Sequence, residues 1–285
     1  MTRPNCLPFF VGLLEVFMTL STTRRASAET APLAPGVYIL GAGPGDPDLI
    51  TVRGQRLLEQ ADVVVYANSL VPQQVLDWTR PDAEKVGTAN LTLETILPLM
   101  IDRVTAGKSV VRLHSGDPSL YSAIHEQMQA LTSAAIPFEV IPGISAFQAA
   151  AAKLNAELTI PGLVQSIILT RISGRTQVPD TEELSSLAAH KTSLCLYLSA
   201  RHVAESQTQL LQHYAPETPV AICFRVGWPD EQIWVAPLTE MTAITQRENL
   251  IRTTLYIVSP ALQGAAVRSR LYNPDHTHLF RPQNT

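Results

Sequence analysis

Short apolar runs rich in β-favouring residues recur from residue 37 to residue 258, separated by stretches of helical spacing and by turns of Gly, Pro, Ser and Asp. In the first half the runs at 37–40 (VYIL), 61–66 (ADVVVY), 109–113 (SVVRL) and 138–141 (FEVI) read as strands. Helix is expected to begin somewhere between Leu49 and Gly54 and continue through Ala61, then over 91–103 with Gly107 as its stop, and over 121–131. An alanine-rich helix over 146–154 follows, with Ser145 at its N-cap. In the second half strands are expected at 166–170, 194–198, 220–224, 232–235 and 254–258, with helices at 182–189 and 204–214. Strands alternating with helices predict an α/β fold with crossover connections. A change of character near residue 155 divides it into domains over 37–155 and 156–262, with an extension over 1–36 and a polar tail over 263–285.

The stretch VYILGAGPGDPDLITVRGQRLL (37–58) carries the densest signal. A buried strand runs into Gly41, Gly43 and Gly45, interleaved with Pro44, Asp46 and Pro47. A dinucleotide-binding turn needs a third glycine opening directly into a helix. Here that position is Asp46, flanked by two prolines that forbid helix at once. NAD or FAD binding is therefore not the reading. Two further loops, HSGDP (114–118) and PGIS (142–145), also leave strands at their C-terminal ends, the edge at which open α/β sheets bind ligands. Gly, Ser and Asp there offer N–H donors and close approach, which suits a polar small molecule.

Composition narrows the partners. The 285 residues carry a formal charge of −4, with 46% hydrophobic and 16% charged residues, enough for two ordinary domains and too little basic excess for a nucleic-acid surface. Cys6, Cys195 and Cys223 lie far apart, and neither they nor the seven histidines have metal-ligand spacing; His276 and His278 read as solvated. No metal is expected, and the thiols fit a reducing, cytoplasmic setting. Residues 7–20 are apolar apart from Glu15, too short to span a membrane, and a weak match to a signal peptide because Glu15 and Arg24-Arg25 interrupt the pattern. They are read as an extension, with no stable membrane insertion.

GAGPGDPDLIT, ADVVVYANSLV, HSGDPSLY and IPGIS, in this order, resemble the tetrapyrrole methyltransferase family, the S-adenosylmethionine-dependent enzymes of sirohaem and cobalamin synthesis. The likeness spans about residues 37–262. ELTIPGLVQSIILTRISGRTQVP (157–179) and Trp228-Pro229-Asp230-Glu231 look closest to the branch that methylates precorrin-4 or cobalt-precorrin-4 at C11. The resemblance implies two α/β domains, neither a Rossmann domain, with the ligand cleft between them, usually in a homodimer. It implies cofactor contacts from Pro44, Ser115, Gly116, Asp117, Leu120, Ser145, Ala146, Leu198 and Ala221, and a tetrapyrrole trough bordered by GAGPGDP.

Asp46 is the carboxylate singled out for proton handling or for shaping its loop through an Asx turn. Asp117 is read as a cofactor contact or as the cap of the helix after HSGDP. Arg171 and Arg175 are expected to fork onto substrate carboxylates; Arg53 and Arg112 are read as solvated, and Tyr197 and Cys195 as core. Members that methylate uroporphyrinogen III carry Asp-Arg after the second strand and a lysine further on, where this chain has Ala67-Asn68-Ser69 and Gly87-Thr88. An amide cannot act as a carboxylate base. Two other readings stay open: methylation at another ring position, or a tetrapyrrole or nucleotide binder without catalysis.

Overall fold

A computed structural model describes residues 32–264, apart from Arg175. The segment over 1–31, the tail over 265–285 and Arg175 lie outside the described residues. Among the described residues, those from 34 to 264 form one compact unit built on two five-stranded sheets.

The first sheet comprises β1 (Gly36–Gly41), β2 (Val63–Tyr66), β3 (Glu84–Gly87), β4 (Ser109–His114) and β5 (Phe138–Ile141). Its order is β3-β2-β4-β1-β5, with every pair parallel. Parallel strands need crossovers, supplied here by α1 (Val52–Leu58), α2 (Leu93–Thr105) and α3 (Ile124–Ser133). Alternation along the strands sends Val37, Ile39, Val63, Val65 and Val110 to one face, where Ile96, Met100 and Val104 of α2 and Leu131 of α3 cover them. On the first strand Leu40 points the other way, and Gly54 lets α1 come so close that a Cβ there would lie 2.8 Å from Leu40 Cδ1.

The second sheet comprises β6 (Ile167–Arg171), β7 (Ser193–Tyr197), β8 (Pro219–Phe224), β9 (Gln232–Pro237) and β10 (Thr254–Val258), in the order β6-β7-β10-β8-β9. Only β6 and β7 pair in parallel. Leu194, Leu196, Val220, Ile222, Tyr256 and Val258 face α5 (Leu184–Ala188), α6 (Val203–Leu210) and α7 (Met241–Arg247). The opposite face, with Cys195, Ala221, Cys223, Leu255 and Ile257, is covered by Ala149 and Ala150 of α4 (Ala146–Lys153). That helix leaves the last strand of the first sheet yet packs on the second.

Two expectations need correction. Helix does not begin at Tyr121: Tyr121 and Ala123 hold left-handed φ of 55° and 50°, which delays α3 to Ile124. Arg112 is not solvated. It is 6% exposed within β4, its guanidinium donating long bonds to Gln127 Oε1 (3.3 Å), Val65 O (3.3 Å) and Thr88 Oγ1 (3.4 Å). The strand β3 and the helix α7 were not anticipated. Among the described residues, no helix is long and apolar enough to cross a membrane.

Candidate cofactor cleft

Because β4, β1 and β5 are adjacent and parallel, their C-terminal loops HSGDP, GAGPGDP and PGIS emerge side by side. Backbone bonds then join them. Gly43 N donates to Gly116 O (3.3 Å), Gly116 N donates to Gly43 O (2.7 Å), and Gly143 N donates to Asp117 Oδ2 (2.9 Å). A Cβ on Gly41 would lie 2.6 Å from both Gly116 O and Gly143 Cα, so this stack excludes side chains at its centre. Gly116 (φ 67°) differs: a Cβ there would meet nothing nearer than Ser145 Cα at 3.9 Å. The stack therefore leaves an open floor beside Gly116, bordered by Ser115 and Ser145.

The carboxylates here shape their loops. Burial pushes the Asp117 carboxyl up, but hydrogen bonds from Ser119 Oγ, Gly143 N and Ser119 N outweigh it and hold the group below the usual range. Asp117 thus locks a turn and the neighbouring loop; with α3 starting at Ile124, it is not that helix's cap. Asp46 Oδ1 accepts from Asp48 N (2.9 Å), the Asx turn, and caps the short 3-10 turn Pro47–Leu49.

The second sheet reaches this floor through Tyr197. Its hydroxyl lies 2.9 Å from Ser145 Oγ and accepts from Phe147 N (3.2 Å), while Gln148 Oε1 accepts from Ser145 N (2.9 Å). Burial pushes the Tyr197 phenol up to about 12, so it acts as a neutral hydroxyl. Tyr197 is therefore more than core: it ties the start of α4 to the end of β7. The next residue, Leu198, is 68% exposed and left-handed (φ 53°), a strained, exposed apolar side chain beside the floor. Tyr121 stacks at 5.5 Å between ring centroids against Tyr197.

Pro44, Ser115, Gly116, Asp117, Ser145, Ala146 and Leu198 are thus brought together by direct bonds or chain adjacency, and Leu120 closes the Asp117 turn (Leu120 N to Asp117 O, 3.2 Å). Ala221 sits fully buried inside β8, in the cluster of Cys195, Cys223 and Ile257 against which Ala146 and Tyr197 pack. Arg171 lines an adjoining open cavity of about 380 Å³ with Tyr121, Leu169, Pro179, Glu182 and Leu187. Its guanidinium also braces its own loop, Nη1 donating to Thr176 O (2.8 Å) and Nη2 to Gln177 O (2.9 Å).

The family Tetrapyrrole (Corrin/Porphyrin) Methylases matches residues 36–242, a span that holds all three loops and nearly all of both sheets. The chain belongs to that family. A precorrin-4 C(11)-methyltransferase of Pseudomonas aeruginosa is 44% identical over 247 residues, 86% of this chain and 98% of that protein. A cobalt-precorrin-4 C(11)-methyltransferase of Priestia megaterium is also 44% identical, over 251 residues, 86% of this chain and 97% of the relative. Among solved structures, a cobalt precorrin-4 methyltransferase, described as a cobalamin biosynthetic enzyme, superposes with a TM-score of 0.77 at 43% identity, over 79% of this chain and 95% of that one. A uroporphyrin-III C-methyltransferase from Thermus thermophilus, complexed with S-adenosyl homocysteine, gives 0.65 at 28% identity, over 80% and 99% of the two chains.

The methylase fold expected from the motifs is thus the fold observed. Trp228 was singled out beforehand only as part of the Trp228-Pro229-Asp230-Glu231 motif, and Arg225 not at all. Only the left-handed φ at Arg225 (49°) and Gly227 (81°) sets their loop apart, and that is invisible in a residue string.

Proposed function

We propose that this chain transfers the methyl group of S-adenosylmethionine to C11 of precorrin-4 or cobalt-precorrin-4, giving the corresponding precorrin-5 in cobalamin biosynthesis. The observation that carries the reading is its 44% identity, over nearly the whole length of the relatives, to proteins named for that reaction. The fold supports it with a glycine floor that a small polar ligand can approach. Open space above Gly116, free of backbone within 3.9 Å of an added Cβ, is the feature such a donor requires.

Pro44, Ser115, Gly116, Asp117, Leu120, Ser145, Ala146 and Leu198 would hold the donor, with Ala221 behind them in the buried face. Bound there, S-adenosylmethionine supplies a methyl group already activated as a sulfonium. What the chain must do is place an electron-rich ring carbon in line with it, and such positioning is worth about 7–11 kcal/mol at best. The locked Asp117 turn fixes the floor. Asp46 is the candidate acid–base group, through the oxygen left free by its Asx turn. Asn68 is not a base: it is an amide whose Oδ1 accepts from Ala89 N at 2.8 Å, which fits a reaction other than that of the uroporphyrinogen methylating members. Arg171 would meet substrate carboxylates where it borders the cavity by Tyr121, and Arg175, four residues on in the sequence, is proposed to share that role. Residues 37–155 and 156–262 act as the two domains of a cleft, in a cytoplasmic homodimer; the buried free thiols of Cys195 and Cys223 favour a reducing setting.

A single-turnover reaction with methyl-labelled donor, run on precorrin-4 and on cobalt-precorrin-4, tests the reading. Label at C11 of either is the expected result. Label at another ring carbon would move the assignment within the family, and tight binding without transfer would replace catalysis by binding.

A further inference from the structure

The loop after β8, Arg225-Val226-Gly227-Trp228-Pro229-Asp230-Glu231, closes on the loop that carries Asp46. Two glycines make the contact possible, one on each side. A Cβ on Gly45 would collide with Trp228 Cδ1 and lie 2.7 Å from its Nε1; a Cβ on Gly227 (φ 81°) would lie 2.7 Å from Asp46 N. Residues 45 and 46 are therefore pressed directly on residues 227 and 228, with no side chain between.

The indole is held from its other sides. Arg225 Cζ sits 3.9 Å from the ring centroid, and Arg225 Nε approaches Asp230 Oδ1 at 2.7 Å. That approach is an ion pair and not an aligned hydrogen bond, since the buried Nε–H has no acceptor in line among the described residues. Glu231 Oε2 accepts from Gly227 N (2.6 Å), and Glu231 Oε1 lies 3.4 Å from Lys153 Nζ at the end of α4. The Trp228 Nε1–H is buried and has no hydrogen-bond partner among the described residues. Shape and the Arg225 charge hold the ring against Gly45.

We propose that Trp228, braced by Arg225, is a positioning residue that fixes the Gly45–Asp46 segment at the cleft, so that the second sheet sets where the acceptor carbon rests. The proposal rests on the methyl-transfer reading for its kinetics but not for its structural test. Trp228→Ala is expected to lower kcat about a hundredfold, the scale of an ångström's misplacement of reacting groups, with KM and the Kd for S-adenosylhomocysteine within threefold. Trp228→Phe keeps an aromatic face for Arg225 but trims the Nε1 edge that meets Gly45, and is expected to retain a kcat between those of Trp228→Ala and wild type.

Hydrogen exchange supplies the independent readout: amides of Gly43, Asp48, Leu49 and Ile50 should exchange about tenfold faster in Trp228→Ala and by a smaller factor in Trp228→Phe, with β7 and β10 unchanged. Unchanged exchange in Trp228→Ala overturns the proposal, as does a kcat loss matched by an equal loss of donor affinity. Should Trp228→Ala not fold, Gly45→Ala, which drives a methyl group onto the indole edge, must show the same kcat-specific loss; an unaffected Gly45→Ala overturns the proposal too. If wild type transfers no methyl group to either tetrapyrrole, the functional reading falls while the exchange result still decides the role of Trp228.

Discussion

Two glycines of the loop stack should respond oppositely to added side-chain atoms, because one faces open space and the other faces backbone. At Gly116 an added Cβ has no atom within 3.9 Å, so Gly116→Ala bears only the left-handed φ of 67°. That conformation costs about 1–2 kcal/mol for a residue with a Cβ, and Tyr121 and Leu198 already tolerate it nearby. Gly116→Leu adds bulk where the donor is proposed to lie. It should stay folded, within about 2 kcal/mol of wild type, yet lose roughly thirtyfold in S-adenosylhomocysteine affinity, about 2 kcal/mol. At Gly143 a Cβ is driven into the Gly116 carbonyl and lies 2.8 Å from Gly41 Cα. Neither neighbour can turn aside, so Gly143→Ala must shift main chain and should cost about 3 kcal/mol or more. Urea titration and calorimetric titration with S-adenosylhomocysteine measure both quantities. A folded Gly116→Leu with ordinary affinity would remove this floor from the site, and equal destabilisation at the two glycines would refute the packing argument.

Three other outcomes follow from the same contacts. Burial, with Arg112 nearby, lowers the His114 pKa to about 3; the unfolded chain therefore holds a proton that the folded chain rejects between pH 3 and 6.5. Stability is full above pH 6.5 and is lost on acidification, by about 2 kcal/mol between pH 6.5 and 5; urea midpoints should fall less for His114→Gln, and equal falls would contradict this. Tyr197→Phe, which strips the partner from Ser145 Oγ and Phe147 N, should cost about 1–3 kcal/mol, and a cycle with Ser145→Ala should be non-additive by at least about 0.5 kcal/mol. Strict additivity would show that the 2.9 Å contact carries no energy. Arg171→Ala frees the carbonyls of Thr176 and Gln177, and is expected to raise the tetrapyrrole KM with donor affinity within about threefold; a loss confined to donor affinity would dissociate that loop from substrate.

Four of the five strands of the first sheet were legible because parallel strands covered on both faces write themselves as unbroken apolar runs, as in Val63–Tyr66. The three ligand loops were legible for a related reason: parallel strands release their loops at one edge. Their contact was not, because it depends on β4, β1 and β5 being neighbours, an order set by packing. β3 escaped notice because an edge strand with alternating exposure, Glu84–Gly87, offers only Val86 as a signal. α7 is seven residues long, too short for a helical period to stand out. Arg112 misled because charge suggests solvent, whereas its place in β4 fixes burial regardless. The left-handed Tyr121 and Ala123 have no glycine to announce them. Trp228 against Gly45 joins segments from different sheets, and no local pattern connects them.

The contacts that join the two sheets converge on α4. Its first turn is fixed in the loop stack, with Ser145 bonded to Gln148 and to Tyr197. Its middle buries Ala149 and Ala150 against the second sheet, where alanine allows a close approach. Its last residue, Lys153, pairs with the same Glu231 that accepts from Gly227 N. One eight-residue helix thus relates the floor beside Gly116 to the loop that presses on Gly45 and Asp46. If the halves shifted independently, donor and acceptor positions would drift apart by the shift. A helix grown from one sheet and packed on the other removes that freedom, and this is why a transfer that needs little more than alignment can be built from loops so far apart in sequence.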